Sequence, residues 1–174
     1  AYVVEMDCVE GIKDGKVLLT LCFRGKRLML IYKLETHTNE AVVAALDSIE
    51  DAIGSTRFKR YFGTILTDRG KEFKGNSRIE YNSQGKRRCN VYYCDPRASF
   101  QKGLLEEKHT LFRKVIPKGK SLKKITQDEC LRIARNINNY PCIPLDGKTP
   151  MEVASNSMPK ELLSKLGMVT LDKN

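Results

Sequence analysis

The sequence has no tryptophan, only two histidines, and no apolar run approaching the ~18 residues that a membrane-spanning helix needs. A membrane span is therefore excluded. It also lacks any C-x-x-C pair: Cys8, Cys22, Cys89, Cys94, Cys130 and Cys142 are scattered, mostly within apolar segments. That excludes a zinc ribbon or a dithiol redox motif and leads us to expect reduced, buried thiols in a cytosolic protein. His37 and His109 are too isolated for a zinc site, and His109 is expected to be a local hydrogen-bonding group at most. The opening AYVVEMDCVEGI shows no basic leader, apolar stretch and small-residue cleavage site. It begins inside what reads as a strand, and the expectation is a piece of a longer protein whose upstream region is absent.

What is present is an ordinary globular balance, 41% hydrophobic and 30% charged residues over 174 positions. Wholesale disorder is excluded, and one domain is expected over residues 1–174, with a core at 1–155 and a C-terminal extension at 156–174. The net charge of +10 is not spread evenly. Residues 1–56 carry 6 basic and 9 acidic side chains, residues 57–124 carry 19 and 6, and residues 125–174 carry 6 and 6. The surplus lies entirely in the middle. Arg113 to Lys124 alone holds Arg113, Lys114, Lys118, Lys120, Lys123 and Lys124 without an acid, the footprint of contact with a phosphate backbone. A solvated basic face serving solubility is the alternative on charge alone.

Val3 to Val9, Val17 to Phe23 and Leu28 to Leu34 read as three antiparallel strands, separated by Lys13-Asp14-Gly15-Lys16, an Asp-Gly hairpin signal, and Arg24-Gly25-Lys26. The second and third are apolar at odd and even positions alike, so helices should cover both sheet faces, an α/β layering. Val42, Ala45, Leu46, Ile49 and Ile53 recur at helical spacing after Thr38-Asn39-Glu40 and stop at Gly54. Phe62 to Thr67 and Asn90 to Cys94 read as short strands, the second bounded by Asp95-Pro96, with a short helix and loop between them. Leu104, Leu105, Leu111, Phe112 and Val115 form the apolar stripe of a long helix ended by Pro117 and Gly119. Thr126-Gln-Asp-Glu129 is a capping box, and Thr149-Pro150 and Pro159-Lys160 start two short helices.

Three acids stand out against this pattern, and Asp7 breaks it. Asp7 shares a strand face with Val3, Glu5 and Val9, where a covered sheet should be apolar, although an edge position would also explain it. Cys8 then faces the opposite layer as a small packed hydrophobe. Asp68 ends the fourth strand, where sheet proteins keep ligand-binding groups and where turn or capping aspartates are also common. Glu106 lies on the long helix with His109, Thr110 and Arg113 on its face and Lys102 one turn before it, although on most helices such a glutamate is simply exposed. Together these acids describe an oxygen-lined site for Mg²⁺ or Mn²⁺ facing a nucleic-acid groove. Glu5 and Glu72 could support the metal-binding acids from behind, with solvent exposure or helix capping the expectation for both. Tyr92 and Tyr93 are expected in the core and on the strand surface rather than as base-stacking platforms.

The same residues carry a family resemblance. The Asp7 strand with the Gly15 hairpin and LLTLCFRGKR, ILTDRGKEF around Asp68, YYCDPRASFQKGLLEE, LFRKVIPKG, NINNYP and KTPMEV follow one another in unbroken order over about residues 2–155. In this the chain resembles the catalytic core of bacterial insertion-sequence transposases of the IS-thirty type, within the retroviral integrase-like superfamily. That family differs in showing Asn at the position of Arg69 and Pro-Trp at Ser99-Phe100. The resemblance implies a ribonuclease H-like fold with five mixed strands in the order 3-2-1-4-5. It further implies an Asp-Asp-Glu triad of Asp7, Asp68 and Glu106, the glutamate three residues after Gly103 being selected over Glu107.

It implies, too, two Mg²⁺ or Mn²⁺ ions per site, bound by the triad, and metal-dependent cleavage and strand transfer of DNA. Lys102, Arg113, Lys114, Lys118 and Lys120 are the candidates for holding DNA phosphates. A homodimer or higher multimer acting on transposon ends and target DNA in the bacterial cytoplasm is implied, with an end-recognising domain upstream of this chain. Two alternatives stay open: a ribonuclease H-type or junction nuclease that does not join strands, and an inactive DNA-binding module of the same fold.

Overall fold

A computed structural model describes residues 2–12, 16–95 and 99–168. The Asp14-Gly15 hairpin signal, Pro96 and the last six positions of the C-terminal extension lie outside these residues. Strands β1 (Val4–Glu10), β2 (Val17–Phe23) and β3 (Leu28–Leu34) pair antiparallel as expected from their apolar runs. Every residue of β2 is buried, which is what apolar side chains on both faces require of the central strand of a meander. Helix α1 (Asn39–Ile53) is capped by the Thr38 hydroxyl, which accepts from the Ala41 N–H, and it ends at Gly54 with φ +86°. Gly54 leads directly into α2 (Ser55–Tyr61), which has no side-chain cap and was not foreseen.

Strand β4 (Thr64–Thr67) pairs parallel with β1 on one side and with β5 (Asn90–Tyr93) on the other. It begins two residues later than expected because Phe62 ends α2 and stacks on Phe58 in an aromatic cluster with Phe23, Tyr2 and Tyr61. Gly63 permits this: a Cβ there would lie 2.3 Å from the Lys59 carbonyl oxygen. The sheet order is β3-β2-β1-β4-β5, with the parallel pairings needing the crossovers that helices supply. This is the five-stranded ribonuclease H-like sheet expected from the resemblance.

Between β4 and β5 lies the short α3 (Asn76–Glu80). Helix α4 (Gly103–Val115) packs on β1 and β2, beside α5 (Gln127–Asn138), which packs on β3. The α4 stripe differs from expectation at two places. Val115 is exposed, while Lys108 occupies the buried turn between Leu104 and Phe112, where burial pushes its amine pKa down. The predicted capping box of α5 is present between Thr126 and Glu129. Helix α5 also closes the open edge of β3: Asn138 donates to the Met29 carbonyl and accepts from its N–H, and Gln127 does the same for Ile31 and Lys33. Helices α6 (Pro150–Ser155) and α7 (Lys160–Lys165) follow, and Leu162, Leu163, Leu166 and Met168 of the expected extension are buried in the same core. No helix among the described residues is long and apolar enough to cross a membrane.

Candidate active site

Parallel pairing of β1 with β4 sets the site. Val4 opposes Ile65 and Glu5 opposes Leu66, so two residues further along the same face Asp7 comes level with Asp68. Their carboxylates converge on one point, occupied by the Lys102 ammonium, whose Nζ lies 3.0 Å from Asp7 Oδ2 and 3.1 Å from Asp68 Oδ2. The outer oxygens are fixed by backbone: Asp7 Oδ1 accepts from the Cys8 N–H at 2.8 Å, and Asp68 Oδ1 from the Gly70 N–H at 2.8 Å. Burial disfavours the Lys102 ammonium, yet the charges of and hydrogen bonds to Asp7 and Asp68 outweigh it and raise its pKa. A pocket that already holds a cation between oxygen donors fits a hard divalent ion.

Helix α4 brings Glu106 to the same cleft, a cavity of about 790 Å³ lined also by His109, Arg113 and Lys118. The neighbouring Glu107 turns away and pairs with Arg27. The helix is anchored by Glu5, one face position before Asp7. Its buried carboxylate accepts from the Leu105 N–H at 3.0 Å and from Arg24 Nε at 2.8 Å, and Arg24 in turn reaches the Gln101 carbonyl. Glu5 is thus a helix cap, but of a remote helix and not in solvent. His109 closes the other side of Asp7. The Thr20 hydroxyl donates to the Asp7 carbonyl at 3.1 Å, which leaves its lone pair to accept from His109 Nε2 at 2.9 Å. Burial lowers the His109 pKa, against the opposing pull of Asp7 and with the help of Lys102 and Arg113.

The basic candidates fall in different places. Lys102 is the one that departs from expectation: it is buried and its charge is taken up by the two aspartates, so it is not placed to hold a phosphate. Arg113 lines the cleft and donates to the Glu10 carbonyl at 2.8 Å, with Nη1 sealed off and unpartnered. Lys118 lines the cleft, Lys114 is exposed in the last turn of α4, and Lys120 is exposed on the segment after that helix.

Two further expectations need correction. Glu72 is buried rather than exposed. It folds back over Gly70, where a Cβ would lie 2.7 Å from its carboxylate. His37 is not isolated: Nδ1 lies 2.7 Å from Glu10 Oε1 and Nε2 lies 2.8 Å from Glu72 Oε1. Cys8 faces these two rather than a dry layer, and burial, then the charges of Glu72, Asp7 and Asp68, push its thiol pKa up. Only the folded strand order could have revealed this group, because 28 residues separate Cys8 from His37 and 34 separate His37 from Glu72. Tyr92 lies on the strand surface, and Tyr93 is half-buried, its hydroxyl donating to the Phe73 carbonyl at 2.7 Å.

No family model matches the chain. It is 31% identical over 149 residues to the transposase InsI for insertion sequence element IS30A of Escherichia coli (strain K12), an alignment that covers 86% of this chain and 37% of that protein. The chain therefore spans well under half the length of that relative. Among solved structures it resembles the catalytic core domain of BIV integrase, with a TM-score of 0.57 and 16% identity over 89% of this chain and 94% of that one. It also resembles the HTLV-2 integrase catalytic core domain in complex with magnesium, with a TM-score of 0.57 and 13% identity over 87% of this chain and 94% of the other.

Proposed function

Because this chain is a homologue of the IS30-type transposases and has the fold of the integrase catalytic cores, we propose that it cuts and joins DNA at Asp7, Asp68 and Glu106. The observation that carries the reading is the convergence of Asp7 and Asp68 on one cation position within a cleft that Glu106 also lines. Asp7 and Asp68 would hold two Mg²⁺ or Mn²⁺ ions, with Glu106 completing the donor set. Such ions, when bound, activate an attacking oxygen and stabilise the departing one in phosphodiester displacement.

The chain's own residues prepare that chemistry. Backbone N–H groups of Cys8 and Gly70 fix the outer carboxylate oxygens, so the inner ones stay aimed at the shared position. Thr20 and His109 brace Asp7, and Glu5 holds α4 against β1 so that Glu106 keeps its register. Arg113 and Lys118, on the cleft, and the exposed Lys114 and Lys120, near them in the chain, are suited to bind DNA phosphates, which positions the duplex without reading its sequence. The full reaction, in the bacterial cytoplasm, uses two DNA ends and hence a multimer, with end recognition supplied by sequence outside this chain.

The test is nicking of supercoiled DNA and joining of a labelled DNA end in Mg²⁺ or Mn²⁺. Wild-type protein performs both, while Asp7→Asn, Asp68→Asn and Glu106→Gln perform neither. Nicking without joining would assign a nuclease instead. Cutting by Asp68→Asn at the wild-type rate would remove the mechanism.

A further inference from the structure

Among the described residues, one group of mixed ligating atoms stands apart from the aspartate pair. Cys8, His37 and Glu72 each bring one ligand atom to within 4.8 Å of the others. They come from three separate segments: β1, the connection between β3 and α1, and the turn after β4. We propose that these side chains form a second metal site, on the wall of the same cleft, for a borderline-soft divalent ion of the zinc class. The inference does not rest on the DNA-cutting reading of Asp7, Asp68 and Glu106.

Donor chemistry is the first argument. A thiol, an imidazole and a carboxylate are the donor types that zinc takes up together, whereas Mg²⁺ selects oxygens alone. The second is an orphaned atom. His37 Nε2 lies 2.8 Å from Glu72 Oε1, yet it is sealed from solvent and not aligned to donate a hydrogen bond. A buried nitrogen whose one close contact is not an aligned hydrogen bond is under-satisfied, and a metal bond would satisfy it. The third is the opposite edge of the ring. His37 Nδ1 lies 2.7 Å from Glu10 Oε1, and a carboxylate on the far nitrogen is the arrangement that orients metal-binding histidines.

Between His37 and Glu72 the geometry needs little change. Zinc bonds of ~2.0–2.1 Å to nitrogen and oxygen in a tetrahedron set those donors about 3.4 Å apart, so His37 and Glu72 must open by roughly half an ångström. Three protein donors leave a fourth position for water or an anion. An ion there would staple β1 to the segment before α1 and to the turn after β4. The cleft would then sort ions by softness: hard cations on Asp7 and Asp68, and a thiolate-bound ion on Cys8 one residue away.

Cobalt(II) is the probe, because thiolate ligation gives it a charge-transfer absorption in the near ultraviolet that carboxylate sites lack. One equivalent of Co²⁺ is expected to produce that band in the wild-type chain, and Zn²⁺ to displace it. The band is expected to vanish in Cys8→Ser and to persist in both Asp68→Asn and Cys142→Ser, the latter removing the other partly exposed thiol. Glu10→Gln should weaken zinc about 10–100-fold, as loss of an orienting carboxylate does elsewhere. Zn²⁺, but not Mg²⁺, should raise the thermal midpoint of the wild-type chain and leave that of Cys8→Ser unchanged. No thiolate band in the wild-type chain, a band that survives Cys8→Ser, or one lost in Asp68→Asn would overturn the proposal.

Discussion

Replacing Lys102 by methionine removes the ammonium shared by Asp7 and Asp68 while keeping an unbranched stem of similar length. The Lys102 side chain is 8% exposed, against 26% for Asp7 and 46% for Asp68. A fully buried pair that loses one partner costs about 3–5 kcal/mol, whereas an exposed pair is worth about 0–1 kcal/mol. Both carboxylates reach water, so the loss should fall between these limits, at ~2 kcal/mol. The assay is urea denaturation in a chelator and then across a Mg²⁺ series. In chelator Lys102→Met should show a lower midpoint with an unchanged slope. It should then regain stability at lower Mg²⁺ than the wild type needs for any gain, because no ammonium has to be displaced. Midpoints and Mg²⁺ dependence equal to wild type would refute the claim that ammonium and divalent ion share one position.

Glu5→Gln should cost about 1.5–3 kcal/mol, the range for a hydrogen bond to a charged group, since its carboxylate holds both the Leu105 N–H and Arg24. Denaturation curves measure that loss, and nicking should fall with it as Glu106 loses its anchor. His109 has a pKa below the ordinary value of 6.5, so just under pH 6.5 the unfolded chain binds the extra proton more readily. Stability should therefore drop as pH falls below 6.5 and level off beneath the folded-state pKa, and His109→Asn should flatten that part of the profile. Changing Lys114, Lys118 and Lys120 together to alanine should reduce the salt slope of DNA binding by up to about 3 units if each meets a phosphate. An unchanged slope would show that these lysines bind no phosphate.

The parts of the fold that were legible in the sequence are those where one local rule acts alone. The apolar runs of β1 to β3, the Thr38 cap with Gly54, and the Thr126-to-Glu129 capping box each announce their element and are found there. Helix α2 was not legible, because its seven residues carry no side-chain cap and follow a glycine that reads as a stop. Asp7 stood out because a carboxylate at a covered strand position violates the pattern, and Asp68 because it follows the carboxyl end of a strand; parallel pairing then puts them level. Lys102 misled for the opposite reason: a lysine in a basic region reads as free charge, and only tertiary structure turns it between two aspartates. Glu5 and Glu72 look solvent-facing in sequence because the partners that allow their burial, the Leu105 N–H and His37, lie far along the chain.

The most direct test of the gathered triad is anomalous scattering from crystals of the chain soaked in Mn²⁺. The account predicts two peaks, ~3.5–4 Å apart, in contact with the carboxylates of Asp7, Asp68 and Glu106 and with the Lys102 ammonium withdrawn. Lys102 still bridging the two aspartates with no manganese beside them, at a concentration that supports cutting, would contradict it.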